Sequence, residues 1–299
     1  YQSAVYRELL ETELQKEPDW VIFGQYGVAA GERVRGRARS LLLPVDSYRL
    51  YYERLARRTR SWRTKASAKY LAWSFARSEV RWREVFDWIA PVAEPDAASL
   101  AQGKRGKARI AVLPVAEEGG RFRWRTGRRV AVLGAFQLKT AEEGALELME
   151  FWSQAGIEAE LVVWGRRASR RLQEAVAKAG GRYINWVPDY RAFLDSMDLV
   201  IYPQRSAAGI QTKVQQSMAQ GIPVVAHPEV LEGLGAHHGE DAFAAVTAPG
   251  FLETARRLLA DPERRNAIGQ AASAGIAERY GKERIAHAIE AVLATGVNR

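Results

Sequence analysis

The loop Ser206-Ala207-Ala208-Gly209 is where the backbone of this chain has most room to meet a ligand. An apolar run, Leu199 to Tyr202, enters it through Pro203. A helix beginning near Gln211 and ending at Gly221 leaves it, and a second apolar run, Ile222 to Ala226, follows. Strand, loop, helix, strand is the βαβ unit of a parallel sheet, whose ligands bind at the loops leaving the carboxyl ends of strands. Small side chains let a ligand approach the amides at the helix start, where an anion such as phosphate is favoured. Other chemistries are thinly supplied. There is no cysteine, hence no disulfide framework, thiolate metal site or cysteine nucleophile. The histidines are His227, His237, His238 and His287, and the adjacent pair lacks the helical spacing of a zinc site.

The elements that must position this loop follow a regular pattern from residue 129. Strand Val130 to Leu133 ends at Gly134, and Thr140 with Glu143 has the spacing of a capping box. Ala145, Leu148, Met149 and Trp152 form one apolar helix face, which Gly156 ends. Strand Leu161 to Trp164 ends at Gly165, and a helix capped by Ser169 runs to Gly180-Gly181. Strand Tyr183 to Val187 ends at Pro188-Asp189 and leads through a short helix to the opening stretch. Five strands with helical crossovers make a doubly wound parallel sheet. Beyond Ala226 the pattern predicts irregular chain, then helices near 250–260, 263–279 and 282–294, the last packing back on the first domain.

The first part is less regular. It predicts a helix over 3–16, strands at Trp20 to Phe23 and Leu41 to Leu43, and a helical region over 48–86 broken near Thr59-Arg60-Ser61. A strand at 88–92, a helix from Pro95 to Ala101 and a strand from Ile110 to Val115 follow, with Glu117 to Arg128 as linker. A length of 299 residues with 47% apolar content suits two domains with two cores, divided as 1–127 and 128–299. No apolar run approaches the ~20 residues that span a bilayer, and no signal peptide is visible. The chain begins at Tyr1 without methionine, so residues upstream are expected.

Several motifs together carry a likeness. The pieces LGAFQLK (133–139), LVVWGRR (161–167), INWVPDYRAFLDSMDLVIYPQ (184–204), GIQTKVQQSMAQGIPVVA (209–226) and LLADPERRNAIG (258–269) stand in the order and spacing of one family. Residues 129–299 resemble the C-terminal domain of GT-B glycosyltransferases, the retaining family-four type also called glycosyl transferases group 1. In residues 1–127, DWVIFGQ (19–25), LLLPVDSYR (41–49) and WIAPVAEPDAASL (88–100) are similar to later parts of the matching N-terminal domain. The family's first strand and Gly-rich loop have no counterpart, so that domain is expected to be partial. The resemblance implies an α/β fold of two Rossmann-like domains facing each other, the second binding a nucleotide sugar. It also implies transfer of the sugar from a UDP- or GDP-type donor to a glycan or lipid-linked acceptor with retention, without a separate cofactor or metal. The implied location is cytoplasmic, peripheral at the inner face of the membrane.

The family holds the donor diphosphate on amides of the opening loop and helix start, which here places Gly209, Ile210, Gln211, Thr212 and Lys213 at the donor. Two family glutamates, eight positions apart, bond the sugar and ribose hydroxyls. In this chain those positions hold Ala208 and Gln216. An amide still accepts a hydroxyl hydrogen bond, without the charge assistance of a carboxylate, whereas alanine supplies none. The family's Arg and Lys after the first strand correspond to Ala135 and, with a one-residue slip, Lys139, in the loop that begins at Gly134. Arg166 and Arg167, after Gly165, are able to take over phosphate binding because guanidinium groups bind it bidentately. The resemblance puts the base at Val187-Pro188-Asp189, where Asp189 also reads as a helix cap. No histidine lies in residues 1–130 to match the family's sugar-side histidine. Asp46 and Ser47 are the nearest polar residues there, and neither reads as catalytic. The lost glutamates leave a second reading open, a glycosyltransferase-like binding or partner subunit without turnover.

Charge is uneven. Residues 32–84 hold 15 Lys and Arg against 5 Asp and Glu, a net +10 in a chain whose total is +9. Trp62, Trp73 and Trp82 lie among those arginines, with Trp88 just beyond. An anionic membrane surface or acidic glycan suits this mixture. Nucleic acid suits the charge but lacks a recognisable motif, and a solvated helix face with core aromatics is the plain alternative.

Overall fold

Alternating strands and helices bury their apolar faces in two all-parallel sheets. The computed structural model describes residues 4–25, 30–59, 61–102, 106–120 and 122–295. Ser3, Arg60 and Arg121, which fall in the expected first helix, helix break and linker, lie outside these. By backbone contact the first unit is Tyr1–Val115, Ala208–Ile210 and Ile285–Arg299, and the second is Ala116–Ala207 and Gln211–Arg284.

The first unit runs α1 (Ala4–Leu14), β1 (Trp20–Gly24), α2 (Gly31–Val34), β2 (Arg39–Leu43), α3 (Tyr48–Arg58), α4 (Trp62–Val85), β3 (Trp88–Ile89), α5 (Glu94–Ala101) and β4 (Arg109–Ile110). Its sheet has the order β1-β2-β3-β4, with Ile22 opposite Leu41 and Leu42 opposite Ile89. Phe23, Leu42, Trp82, Phe86, Ile89 and Leu100 form its core. The break between α3 and α4 has a local cause: the Ser61 hydroxyl accepts the Thr64 N–H at 3.3 Å and starts α4 afresh. β3 and β4 are shorter than the apolar runs suggest: Pro91 brings no N–H to a ladder. Beyond Ile110, among the described residues, only the bonds from Ala111 N–H to Ile89 O at 3.1 Å and from Leu113 N–H to Pro91 O at 3.0 Å continue. Val292, near the end of the last helix, packs with Leu41 and Ala90, as expected for a C-terminal helix returning to this domain.

The second unit runs β5 (Arg129–Leu133), α6 (Lys139–Trp152), β6 (Glu160–Trp164), α7 (Arg170–Lys178), β7 (Arg182–Ile184), α8 (Tyr190–Asp195), β8 (Leu199–Tyr202), α9 (Thr212–Ala219), β9 (Val224–Ala226), α10 (Pro228–Gly233), β10 (Phe243–Ala244), α11 (Ala248–Ala260) and α12 (Pro262–Tyr280), and α13 (Lys282–Ala294) begins at its end. The sheet order is β10-β9-β8-β5-β6-β7. It holds six strands rather than the expected five, because Phe243–Ala244 pairs with Val225 and Ala226 inside a segment expected to be irregular. The chain moves outward from β5 through β6 to β7, then returns to place β8 on the other side of β5. This is the topological switch at which open α/β sheets form their ligand crevice. All four residues of β8 are buried, as a central strand covered on both faces requires. Leu148, Met149 and Trp152 of α6 are also buried in this core, each contributing roughly 1.5–3 kcal/mol by transfer from water.

Two local expectations need correction. The capping box does not form: the turn closed by Leu138 N–H on Ala135 O at 2.8 Å starts α6 at Lys139, with Leu138 as an uncapped first position. Thr140 thus falls inside the helix, its hydroxyl buried without a hydrogen-bond partner among the described residues. Residues 117–128, expected as linker, lie along the second unit. Arg125 donates to the carbonyls of Asp195 and Met197 at 2.9 and 2.6 Å, and Asn266 accepts its N–H at 2.7 Å.

Gly144 of α6 lies against the loop after β8, where a methyl group would overlap the carbonyl oxygen of Pro203. Helix propensity alone would make Gly144→Ala stabilising by about 1 kcal/mol. The overlap reverses the sign, and a net loss of about 1–3 kcal/mol is expected from overpacking, measured as a lower urea midpoint. A midpoint raised by the substitution would contradict this packing.

Candidate functional site

The carboxyl ends of β5, β6 and β8 meet tightly in the second unit. A methyl group on Gly165 would overlap both the Gly134 carbonyl oxygen and the Phe136 ring, so these two loops touch through backbone. Directly before Gly165, Trp164 stacks on Tyr190 with ring centroids 4.5 Å apart, and Phe193 lies 6.0 Å from the same indole. The Trp164 Nε1 and the Tyr190 hydroxyl are buried without hydrogen-bond partners among the described residues. Burial raises the Tyr190 phenol far above its ordinary range, with the Tyr202 phenol adding to the effect.

Lys213, in the first turn of α9, places its ammonium 5.6 Å from the centre of the Trp164 ring. Burial pushes its pKa down, and the Arg166 charge adds to the shift. Among the described residues no carboxylate pairs with it. The N-terminal end of α9 adds the partial positive charge of its orphan N–H groups. Two cations and a helix terminus therefore converge at the switch point, and among the described residues no carboxylate forms an ion pair with Lys213. Behind them the Tyr202 hydroxyl lies 3.1 Å from Gln204 Oε1 and 3.0 Å from Gln211 Oε1, fixing Gln211 at the entry to the helix.

The other expected residues are spread around this centre. Gln216 is half-buried one turn further along α9, and its side chain has no hydrogen-bond partner among the described residues. Thr212 is exposed at the helix start. Lys139 is exposed, 3.7 Å from Glu143, so its charge is partly answered within its own helix. Arg167 adopts a left-handed backbone, φ 62°, held by its N–H on Asn185 Oδ1 at 3.1 Å. Pro188 is exposed beside Asp189, which caps α8 by accepting the Ala192 N–H at 2.9 Å.

Ala208, Gly209 and Ile210 group by contact with the first unit. Gly209 has φ +62°, and any side chain on it would overlap the Asp46 carboxylate. Its N–H donates to Asp96 Oδ2 at 2.8 Å, while Asp96 Oδ1 accepts the Ser47 N–H at 2.5 Å. Ser47 is structural: its hydroxyl caps α3 through the Leu50 N–H at 3.1 Å and donates to Glu79 Oε1 at 2.9 Å. Three carboxylates thus gather at this loop. Burial, then the charge of Asp96, pushes Asp46 up to about 7. Burial also pushes Glu79 up to about 7 against the Ser47 hydrogen bond, and raises Asp96 against the Ser47 and Gly209 amides.

Sequence reasoning passed over Trp164, Tyr190, Glu79 and Asp96. For Trp164 a signal existed, a bulky aromatic at a strand's carboxyl end directly before a glycine. For Glu79 and Asp96 none did.

Comparison with protein families matches residues 127–261 to the family described as Glycosyl transferases group 1. Those residues are a glycosyl transferases group 1 domain. Comparison with curated proteins gives no match. Among solved structures, the chain is similar to sucrose-phosphate synthase from Thermosynechococcus elongatus, with TM-score 0.75 and 14% identity over 97% of this chain and 77% of that one. It is similar to Anabaena HepE, solved in complex with UDP and glucose, with TM-score 0.75 and 13% identity over 96% and 82%. It is also similar to the pneumococcal O-GlcNAc transferase GtfA, solved with UDP and GlcNAc, with TM-score 0.69 and 12% identity over 98% and 61%. At these identities the likeness shows the fold: two Rossmann-like units of the GT-B glycosyltransferase type.

The raised carboxylates of the first unit carry a pH signature. Asp46 and Glu79 titrate near 7 when folded, against about 4 when unfolded. Between those values the folded chain binds more protons, so the stability they confer is full below about pH 4 and lost as pH rises through about 7. In thermal melts from about pH 5 to about pH 8, Asp46→Asn is expected to flatten the fall of Tm relative to the parent protein. An unchanged or steeper fall in the variant would contradict the assignment.

Proposed function

We propose that this glycosyltransferase moves a sugar from a nucleotide-diphosphate sugar, UDP- or GDP-linked, to a glycan or lipid-linked acceptor with retention at the anomeric carbon. The observation that carries the reading is Lys213: a half-buried cation beside Arg166 at a helix N-terminus, with no carboxylate partner among the described residues. Desolvated positive charge of this kind is stabilised by an anion, and a diphosphate supplies two phosphoryl groups at the spacing of one loop. The crystal structures of HepE and GtfA, by their descriptions, hold UDP, which supports a uridine nucleotide as the first donor to try.

In this reading the site works by electrostatics and position. Lys213, Arg166 and the α9 amides stabilise the charge that builds on the departing diphosphate, where preorganised groups act most strongly. The loops at Gly134 and Gly165 let backbone come close, Pro188 and the Trp164–Tyr190 pair lie toward the base, and Lys139 supplies outer charge. Gln216 bonds a hydroxyl of the donor where the family has glutamate, while Ala208 adds no polar group. No residue is assigned as nucleophile, and the nucleotide sugar is substrate rather than resident cofactor. Residues 32–84 belong to the acceptor side, at an anionic membrane surface on the cytoplasmic face.

Ligand linkage tests the site. UDP or GDP at about a hundred times its Kd stabilises the folded state by roughly 2.7 kcal/mol, read as a rise in Tm. Lys213→Ala is expected to remove that rise. Absence of any shift with nucleoside diphosphates at millimolar concentration would contradict the proposal.

Gln216→Glu restores a charged acceptor. Charge-assisted hydrogen bonds are about twice as strong as neutral ones, so the variant is expected to bind both UDP-sugar and UDP more tightly, through a ribose hydroxyl that the two share. Isothermal titration with both ligands checks it, and no gain for UDP would remove Gln216 from the ribose.

A further inference from the structure

Helix α4 uses one face to build the first unit and leaves the other unassigned. Ala68, Ala72, Glu79, Trp82 and Val85 are its buried residues. On the opposite side Trp62, Tyr70 and Trp73 are 74%, 65% and 56% exposed. Lys65, Lys69 and Arg77 interleave with them, and at 3.6 residues per turn all six fall within a sector of about 140°. Two guanidinium groups lie over the exposed indoles, Arg63 at 5.4 Å from the Trp62 ring centre and Arg77 at 5.0 Å from that of Trp73. Tyr70 and Trp73 lie 6.0 Å apart. The aromatics of the basic segment therefore divide: Trp82 is core and the stripe is not.

Charge points the same way. Between Glu53 and Glu79 the sequence has eight Lys and Arg and no acidic residue. Beside the stripe, α3 and α4 enclose an open groove of about 750 Å³ whose lining includes Arg57, Lys65, Lys69 and Trp73. Arg57, Lys65 and Lys69 make no ion pair among the described residues. A glycan or nucleic-acid strand is held by aromatics that line a groove, yet Trp62 and Tyr70 project from the helix face outside it. A flat, deformable anionic surface meets both features at once.

We propose that this face of α4 docks on an anionic lipid bilayer. Headgroup phosphates occupy the α3–α4 groove against Arg57, Lys65 and Lys69, while Trp62, Tyr70 and Trp73 enter the interfacial zone, where such rings are stabilised. The helix lies on the surface: no described helix is long and apolar enough to cross a membrane. This narrows the acceptor-side reading of residues 32–84 to one stripe and rests on that reading, independently of the donor chemistry.

Co-sedimentation of the full chain with vesicles of phosphatidylglycerol and phosphatidylcholine, against phosphatidylcholine alone, tests it. Binding to the anionic vesicles only is expected, and each cation near the surface is worth roughly fivefold. Lys65→Glu with Lys69→Glu is then expected to weaken binding at least ~25-fold. Trp62→Ser with Trp73→Ser is expected to weaken vesicle binding roughly tenfold or more by loss of interfacial burial, with heparin binding unchanged. In the parent protein, brominated lipids should quench part of the tryptophan fluorescence, a readout that needs no variant. Equal binding to neutral vesicles, no binding to anionic ones, no quenching, or parallel loss of heparin and vesicle binding in the tryptophan variant would overturn the proposal. The Tm rise with UDP stays in both variants if the donor site is as described; its absence in the parent would count against the donor reading alone.

Discussion

A lysine that pairs with no carboxylate among the described residues organises the second unit. Lys213 is drawn out of water at the start of α9, its ammonium faces an indole ring, and Arg166 repels it. Burial and the Arg166 charge each lower the cost of giving up the proton, so the arrangement is electrostatically expensive unless an anion arrives. An aromatic face compensates only in part, by roughly 0.5–2 kcal/mol. The nearby backbone supports the same demand, because the first amides of α9 have no carbonyl of their own helix to bond. Positive potential at a switch point is what a diphosphate donor requires. In the proposed reading phosphate recognition and hydroxyl recognition are separate electrostatic tasks, so Ala208 and Gln216 at the expected glutamate positions weaken only the second.

That potential is useful only if the loops carrying it are held. Gly165 and Gly134 permit backbone contact that a single methyl would prevent, and Gly144 lets α6 close on the Pro203 carbonyl. Trp164 is at once the last residue of β6, a partner for Tyr190 and the surface under Lys213. In the first unit the equivalent constraint is polar. Asp96 spans the amides of Ser47 and Gly209, and two further carboxylates with raised pKa values surround the same loop. The aromatic and basic stripe of α4 stands apart from both, since Ala68, Ala72 and Trp82 already complete that helix's packing.

What could be read in the sequence follows from how local each cause is. β5, β6 and β8 were legible because strands buried on both faces are continuous apolar runs, and Ser169 and Asp189 cap helices through bonds to residues three positions away. Phe243–Ala244 was not, since two residues make no run and their pairing depends on Val225 and Ala226. Thr140 and Glu143 had the spacing of a cap, but the turn closed on Ala135 starts the helix at Lys139 and leaves Thr140 inside it. In the candidate site, Lys213, Arg166 and the glycines were visible through motif likeness. Trp164 carried a weak signal, and Asp96 carried none, because its bond to Gly209 joins residues 113 positions apart.

The central claim is that an anion binds where Lys213, Arg166 and the α9 terminus converge. Hydrogen exchange of the full chain with and without UDP reads this directly, amide by amide. Slowed exchange at Gly165 to Arg167 and through the first turn of α9, abolished by Lys213→Ala, is the predicted result. Protection confined to other segments, or unchanged in the variant, would contradict it.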